Sequence, residues 1–159
     1  MCSSDLSDNP LLPGKTLGIV SVAEKGYLTL TLAASGEGGH SSRPPRTSTI
    51  GRLSSALGRI ETNPFPARLV EPVEAMLAGM GPYMDQPERF VVNNLWLTGG
   101  MVADRMGDDP FTNSFVRTTT ALTMFNSGVK ENVIPQRAEA RVNFRLLPGD
   151  TAEIVARRI

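Results

Sequence analysis

The chain is poor in the residues from which most hydrolytic and redox sites are built. Among 159 residues there is one cysteine, Cys2, and one histidine, His40. A single cysteine excludes an internal disulfide. A zinc centre takes three or four ligands, mostly His, Cys or carboxylate, and the sequence offers no HxH, HxD or paired-glutamate motif to supply them. Charge of one sign is also lacking: Lys plus Arg and Asp plus Glu number 16 each, for a formal net charge of zero. That balance argues against a general nucleic-acid binder and against a polybasic membrane adsorber. No apolar run approaches the roughly 18 residues of a membrane helix. The opening MCSSDLSDNPLLPG has no basic n-region, apolar h-region or small-residue cleavage site, so it does not read as a signal peptide. No GxSxG elbow is present and the only cysteine lies in that opening segment, so a serine or cysteine hydrolase has no support.

What is present is the pattern of a folded domain, with 40% hydrophobic and 20% charged residues. Lys15 to Ala23 is a β-branched apolar run that predicts a buried strand. Tyr27 to Ser35 alternates: Leu28, Leu30, Leu32 and Ala34 face one way, Tyr27, Thr29, Thr31 and Ala33 the other. GEGGHSSRPP then predicts a flexible loop. After it, Thr47 or Ser48 caps a helix whose Ile50, Leu53, Leu57 and Ile60 form one stripe, ended by Asn63-Pro64. Residues 64–116, with six prolines, predict an irregular insert of short helices, and Phe90, Trp96, Leu97, Phe111 and Phe115 imply that it packs against something. Arg117 to Phe125 predicts a strand, Asn126 to Pro135 its connection, and Glu139 to Leu147 a strand with Ala140, Val142, Phe144 and Leu146 inward and Arg145 outward. Asp150-Thr151-Ala152-Glu153 predicts a helix start, with an N-cap and a Glu three residues on. The expected fold is therefore α+β: a ferredoxin-like βαββαβ sandwich, an antiparallel sheet with two helices on one face, interrupted by the helical insert and cut before its last strand.

Few side chains carry chemistry. Gly14-Lys15-Thr16 matches only the end of a phosphate-binding loop, with Asn9 where a glycine is required. Asp104, Asp108 and Asp109 read as a solvated turn without calcium-loop spacing. His40 sits among glycines on a strand-to-helix connection, where an imidazole can donate a hydrogen bond to a developing oxyanion. Arg145, outward on a strand whose other face is core, is either a solvated strand arginine or a clamp gripping carboxylate through two parallel hydrogen bonds. Asn132, thirteen residues earlier, reads by itself as a turn residue.

GEGGHSSRPP with His40, KENVIP with Asn132, and VNFRLLPGDT with Arg145, in that order, resemble the lid or dimerisation domain of a di-zinc metallopeptidase family. That family includes carboxypeptidase S, glutamate carboxypeptidase, aminoacylases and succinyl-diaminopimelate desuccinylase. The resemblance spans about residues 15–159, and the insert from NPFPARL onward is most similar to the carboxypeptidase S branch, which also contains N-acyl-amino-acid hydrolases. The resemblance implies a zinc-dependent hydrolase of peptide or N-acyl-amino-acid bonds. It implies two zinc ions and a glutamate base in a catalytic domain absent from this chain, with none bound by the chain itself. It implies a homodimer formed through the lid, His40 as a catalytic residue polarising the scissile carbonyl in the partner's active site, and Asn132 and Arg145 holding the substrate carboxylate. Residues 1–14 are then a leader, of which Met1 to about Leu6 is non-native. Residues 15–25 are the last catalytic-domain strand and hinge, and 26–159 the lid, its insert at about 64–116. The chain alone is expected to be inactive. The alternative is an autonomous ferredoxin-like module that dimerises and binds a small carboxylate without catalysis.

Overall fold

The computed structural model describes residues 23–159. Cys2, the Gly14-Lys15-Thr16 tripeptide and all but the last residue of the strand expected over Lys15 to Ala23 lie outside the described residues. In chain order the elements are β1 (Gly26–Ser35), β2 (Gly39–His40), α1 (Thr49–Thr62), α2 (Glu71–Met80), a 3₁₀ turn (Gly81–Tyr83), α3 (Glu88–Asn93), α4 (Leu95–Asp108), α5 (Asn113–Val116), β3 (Thr119–Ser127), β4 (Val133–Ile134), β5 (Arg137–Leu146) and α6 (Ala152–Arg158). They fall into two compact units, one made of Lys25–Pro66 with Arg117–Ile159 and the other of Ala67–Val116.

The first unit is built on alternation. β5 lies between β1 and β3, antiparallel to both. Its inward residues Ala138, Ala140, Val142 and Phe144 are buried, and the register sets Leu28 opposite Phe144, Leu30 opposite Val142 and Leu32 opposite Ala140. α1 adds Leu53 and Leu57 to this cluster, α6 adds Val155, and Phe65 closes it, so both helices cover one face of the sheet. The other face carries Tyr27, Thr29, Thr31, Arg141 and Arg145 to solvent. Each large side chain moved from water into such a core contributes about 1.5–3 kcal/mol.

Local chemistry sets the ends of the elements. Ser48 caps α1, its Oγ accepting from the Gly51 N–H at 3.0 Å, and Asn63 closes it by donating to the Arg59 carbonyl at 2.8 Å ahead of Pro64. The cap of α6 is Thr151, whose Oγ1 accepts from the Ile154 N–H at 3.4 Å. Asp150 is used differently: it accepts from Thr118 Oγ1, which itself accepts from the Leu147 N–H at 2.8 Å. That clasp occupies the residues where β3 was expected to begin, and the strand starts two residues later, at Thr119.

The α+β class and the antiparallel sheet are present. The fourth strand of a ferredoxin-like sandwich has no counterpart among the described residues, and β1 pairs on one side only among them. The sequence pattern also did not anticipate the second sheet, in which β2 pairs antiparallel with β4.

The unit of Ala67–Val116 has a core of its own, formed by Val73 and Leu77 of α2, Val92 of α3, Met106 of α4 and Val116. The Arg68 N–H donates to the Val116 carbonyl at 2.7 Å and ties the start of the unit to its end. Asp109 is the solvated turn residue expected: its Oδ1 accepts from the N–H groups of Phe111 and Thr112, which hold its carboxyl below the ordinary range. Aliphatic and Met side chains fill this core, Phe115 packs at its margin, and Phe90, Trp96, Leu97 and Phe111 are exposed, Trp96 by 85%. The buried residues of α4, Ala103 and Met106, lie in its second half, whereas Trp96 and Leu97 stand in its first turn. Replacing Trp96, the single tryptophan of the sequence, by serine is therefore expected to change unfolding free energy by no more than about 0.5 kcal/mol. Urea titration checks this, and a loss well above 1 kcal/mol would show that the indole is packed.

Candidate functional site

Three glycines, two prolines and a hairpin connection come together where β1 runs out. The Gly36 N–H donates to the Gln136 carbonyl at 2.9 Å, Gly39 pairs with Ile134, His40 pairs with Val133, and the Ser41 N–H donates to the Asn132 carbonyl at 3.1 Å. The segment from Gly36 to Ser41 is thus zipped along residues 132–136. The flexible loop expected from its composition is instead a ladder. Gly38 is required by close approach, while at Gly36 the neighbour is the movable end of an arginine side chain. A Cβ at Gly38 would stand 2.7 Å from Gln136 Cγ and 3.0 Å from the Ile134 carbonyl oxygen, and one at Gly36 would stand 2.2 Å from a guanidinium nitrogen of Arg52. That guanidinium donates to the Ser35 carbonyl at 2.8 Å, so α1 holds the ladder's base.

His40 is exposed at the end of the ladder. Its Nδ1 accepts from the Ser42 N–H at 3.2 Å and lies 2.9 Å from Ser42 Oγ. The turn is closed by the Arg43 N–H donating to the His40 carbonyl at 3.0 Å. Asn132 is adjacent through the backbone bond to Ser41, and its Oδ1 is buried without a hydrogen-bond partner among the described residues. A turn asparagine normally satisfies that oxygen on its own backbone. An orphaned buried acceptor costs about 1–3 kcal/mol, and such costs concentrate at functional sites.

Arg145 is elsewhere. It lies on the outward face of β5, opposite Tyr27 on one side and Thr119 on the other. Its guanidinium sits 4.8 Å from the centroid of the Tyr27 ring and has no carboxylate partner among the described residues. Lys25, whose Nζ donates to the Arg117 carbonyl at 2.7 Å, shares this end of the sheet. Its amine is pushed below the ordinary lysine value first by burial and further by the nearby Arg145 charge, with Asp150 pulling the other way. Lys25 and Arg145 thus place two cationic groups at this end of the sheet, with the Asp150 carboxylate as the opposing charge. At about 3.3 Å per residue, the run of β5 from Arg137 to Arg145 separates this arginine from the His40–Asn132 ladder by about 26 Å. The structure therefore brings His40 and Asn132 together and keeps Arg145 apart. Asn132 and Arg145, the two residues expected to hold the substrate carboxylate, thus lie toward opposite ends of that run within one chain.

Ser42 and Tyr27 were not singled out from the sequence. Ser42 stands in HSS, two residues after the histidine, so its presence was visible. Tyr27 becomes Arg145's neighbour only through cross-strand register, which no residue of either strand announces. Among the described residues no three His, Cys, Asp or Glu side chains converge as metal ligands.

A family model described as a peptidase dimerisation domain matches residues 22–159. The N-fatty-acyl-amino acid synthase/hydrolase PM20D1 of Bos taurus is 47% identical over 146 residues, covering 89% of this chain and 28% of that protein. The protein of the same name from Homo sapiens is 41% identical over 145 residues. Carboxypeptidase S of Saccharomyces cerevisiae is 30% identical over 148 residues, covering 86% of this chain and 25% of that protein. Among solved structures, the M20 family metallo-carboxypeptidase Sso-CP2 from Sulfolobus solfataricus superposes with a TM-score of 0.50 at 17% identity, over 84% of this chain and 38% of that one. At that identity the likeness concerns the fold. The chain spans 28% of the length of the first relatives it matches.

Proposed function

The chain belongs to the peptidase dimerisation domain family, and from that premise we propose that it is the dimerisation lid of a zinc-dependent hydrolase of peptide or N-acyl-amino-acid bonds. The observation that carries the proposal is the ladder holding His40 and Asn132 side by side at one end of the sheet, with Arg145, which has no carboxylate partner among the described residues, at the other. About 26 Å between them is too far for one substrate to meet all three residues within one chain. Two copies remove the difficulty. One lid brings His40 and Asn132 to an active site whose substrate carboxylate rests on Arg145 of the other lid. This is the arrangement expected of a domain that makes dimers, and it makes the site incomplete in a single copy.

In that arrangement the Arg145 guanidinium, held over the Tyr27 ring, takes the substrate carboxylate through two parallel hydrogen bonds. The Asn132 amide lines the site beside His40. The imidazole donates to the carbonyl oxygen as negative charge develops on it. Among the described residues no three His, Cys, Asp or Glu side chains converge as a zinc centre would need, and the zinc of the proposed parent enzyme would be held by other residues of that enzyme.

Arg145 supplies the test. A carboxylate contact is present in ground state and transition state alike, so Arg145→Ala in the parent enzyme is expected to raise KM and leave kcat nearly unchanged. A charged hydrogen-bonded contact is worth about 1.5–3 kcal/mol, or about 10- to 150-fold in KM. Arg145→Lys recovers only part of this, because a point charge cannot form the fork. Steady-state kinetics on both variants check it, and an unchanged KM in both would return Arg145 to a solvated strand residue.

A further inference from the structure

The Ser42 N–H points at His40 Nδ1 from 3.2 Å and the Ser42 Oγ lies 2.9 Å from the same nitrogen. A backbone N–H can only donate, so the nitrogen facing it must carry its lone pair. In the neutral ring the proton is then on Nε2. We propose that Ser42 is a positioning residue that locks His40 as an Nε2–H donor. Two groups of one residue cooperate in this: the N–H settles which nitrogen accepts, and the hydroxyl, donating to the same lone pair, restrains the ring against rotation. The peptide N–H is itself fixed, because the Ser41 N–H is tied to Asn132 and the Arg43 N–H to the His40 carbonyl, so Ser42 sits between two anchored amides. Nε2, which has no hydrogen-bond partner among the described residues, is left as the outward donor. The tautomer is a property of the chain itself, while its use at an oxyanion rests on the function proposed above.

The chain makes the first test direct, because His40 is its only histidine and its two ring nitrogens give one pair of ¹⁵N resonances. In neutral-ring conditions Nδ1 is expected at the lone-pair position and Nε2 at the protonated position, and the Ser42 amide proton is expected to shift as acid consumes the Nδ1 lone pair. A proton on Nδ1, an even averaging of the two nitrogens, or a Ser42 amide indifferent to the titration would overturn the proposal. A second test in the parent enzyme uses amide isosteres. The Gln side-chain nitrogen reaches where Nε2 stands and the Asn nitrogen reaches where Nδ1 stands. His40→Gln is expected to retain more kcat than His40→Asn, and the reverse order would overturn the proposal. Ser42→Ala keeps the N–H and loses the hydroxyl, so kcat is expected to fall about 3- to 10-fold, the range of one net hydrogen bond, with KM unchanged and Ser42→Thr restoring it. Loss of KM and kcat alike, without rescue by threonine, would make Ser42 merely structural. Failure here is distinguishable from failure of the proposed function. A ring protonated on Nε2 in a parent whose kcat ignores His40→Ala refutes the catalytic role alone. A ring protonated on Nδ1 with kcat abolished by His40→Ala refutes the role of Ser42 alone.

Discussion

Phe144→Ala is expected to cost the sheet-containing unit about 3–5 kcal/mol, the range for truncating a fully buried aromatic. Phe144 is 0% exposed. It stands at the middle of its sheet, with Leu28 across on β1 and Thr120 across on β3. Its ring meets the edge of Phe65 at 6.3 Å and 80°, and Phe65 in turn carries the Arg158 guanidinium on its face at 5.1 Å. Removing the ring therefore empties a space that a strand, a loop and the α6 end all line, and two strand neighbours hydrogen-bonded through their backbones cannot collapse into it. Native domains are stable by about 5–15 kcal/mol, so the loss is a large share of the total. Urea unfolding should show a lowered midpoint with unchanged slope. Phe144→Leu, which conserves most of the volume, is expected to cost less than about 1.5 kcal/mol. Equal effects for the two substitutions would mean that the site relaxes freely and that Phe144 is not the keystone of this core.

The prominence of Phe144 was visible in the alternation of Glu139 to Leu147, because a strand whose alternate residues are all apolar has one face to bury. The same physics made β1 and the α1 stripe legible. Leu53 and Leu57 are buried as the spacing requires, and Ser48 caps the helix. Thr151 shows where local pattern stops being sufficient. Asp150 and Thr151 are both good caps, and the choice went to Thr151 because Asp150 is drawn away by Thr118, 32 residues earlier in the chain. No local pattern contains that contact.

The candidate site was legible in residue type and illegible in geometry. His40, Asn132 and Arg145 each stand in a short motif, but β2 and β4 are two residues long. Such a pairing has no periodicity to detect, and its glycines read as flexibility although Gly38 is needed for close packing. The separation of Arg145 follows from the hairpin: residues thirteen apart in sequence are drawn to opposite ends of the sheet because the second lies far along an extended strand. For the aromatics of residues 64–116 the difficulty is the opposite one. Composition marked them as apolar, but which side of a short helix is inward depends on what the helix packs against, and sequence alone does not provide that.

His40→Ala in the parent enzyme is expected to lower kcat by about 100- to 1000-fold, the usual cost of one oxyanion donor. KM, metal content and melting temperature should hardly change. The ring is exposed and its backbone pairing with Val133 survives truncation, so no core contact is lost. The geometry makes a stricter test available on this chain's own residues. If His40 of one copy and Arg145 of the other meet at one active site, a heterodimer of a His40→Ala subunit with an Arg145→Ala subunit has both lesions in the same site. Its second site holds an intact arginine from the first subunit and an intact histidine from the second. The purified heterodimer is then expected to show about half the wild-type kcat/KM, because a two-fold dimer carries two equivalent sites. If instead each chain served its own site, one site would lack histidine, the other arginine, and the heterodimer would keep only the residual activity of the two parent variants. That outcome would contradict the shared site inferred from the roughly 26 Å between the ladder and Arg145, and a kcat indifferent to His40→Ala would remove the histidine from catalysis altogether.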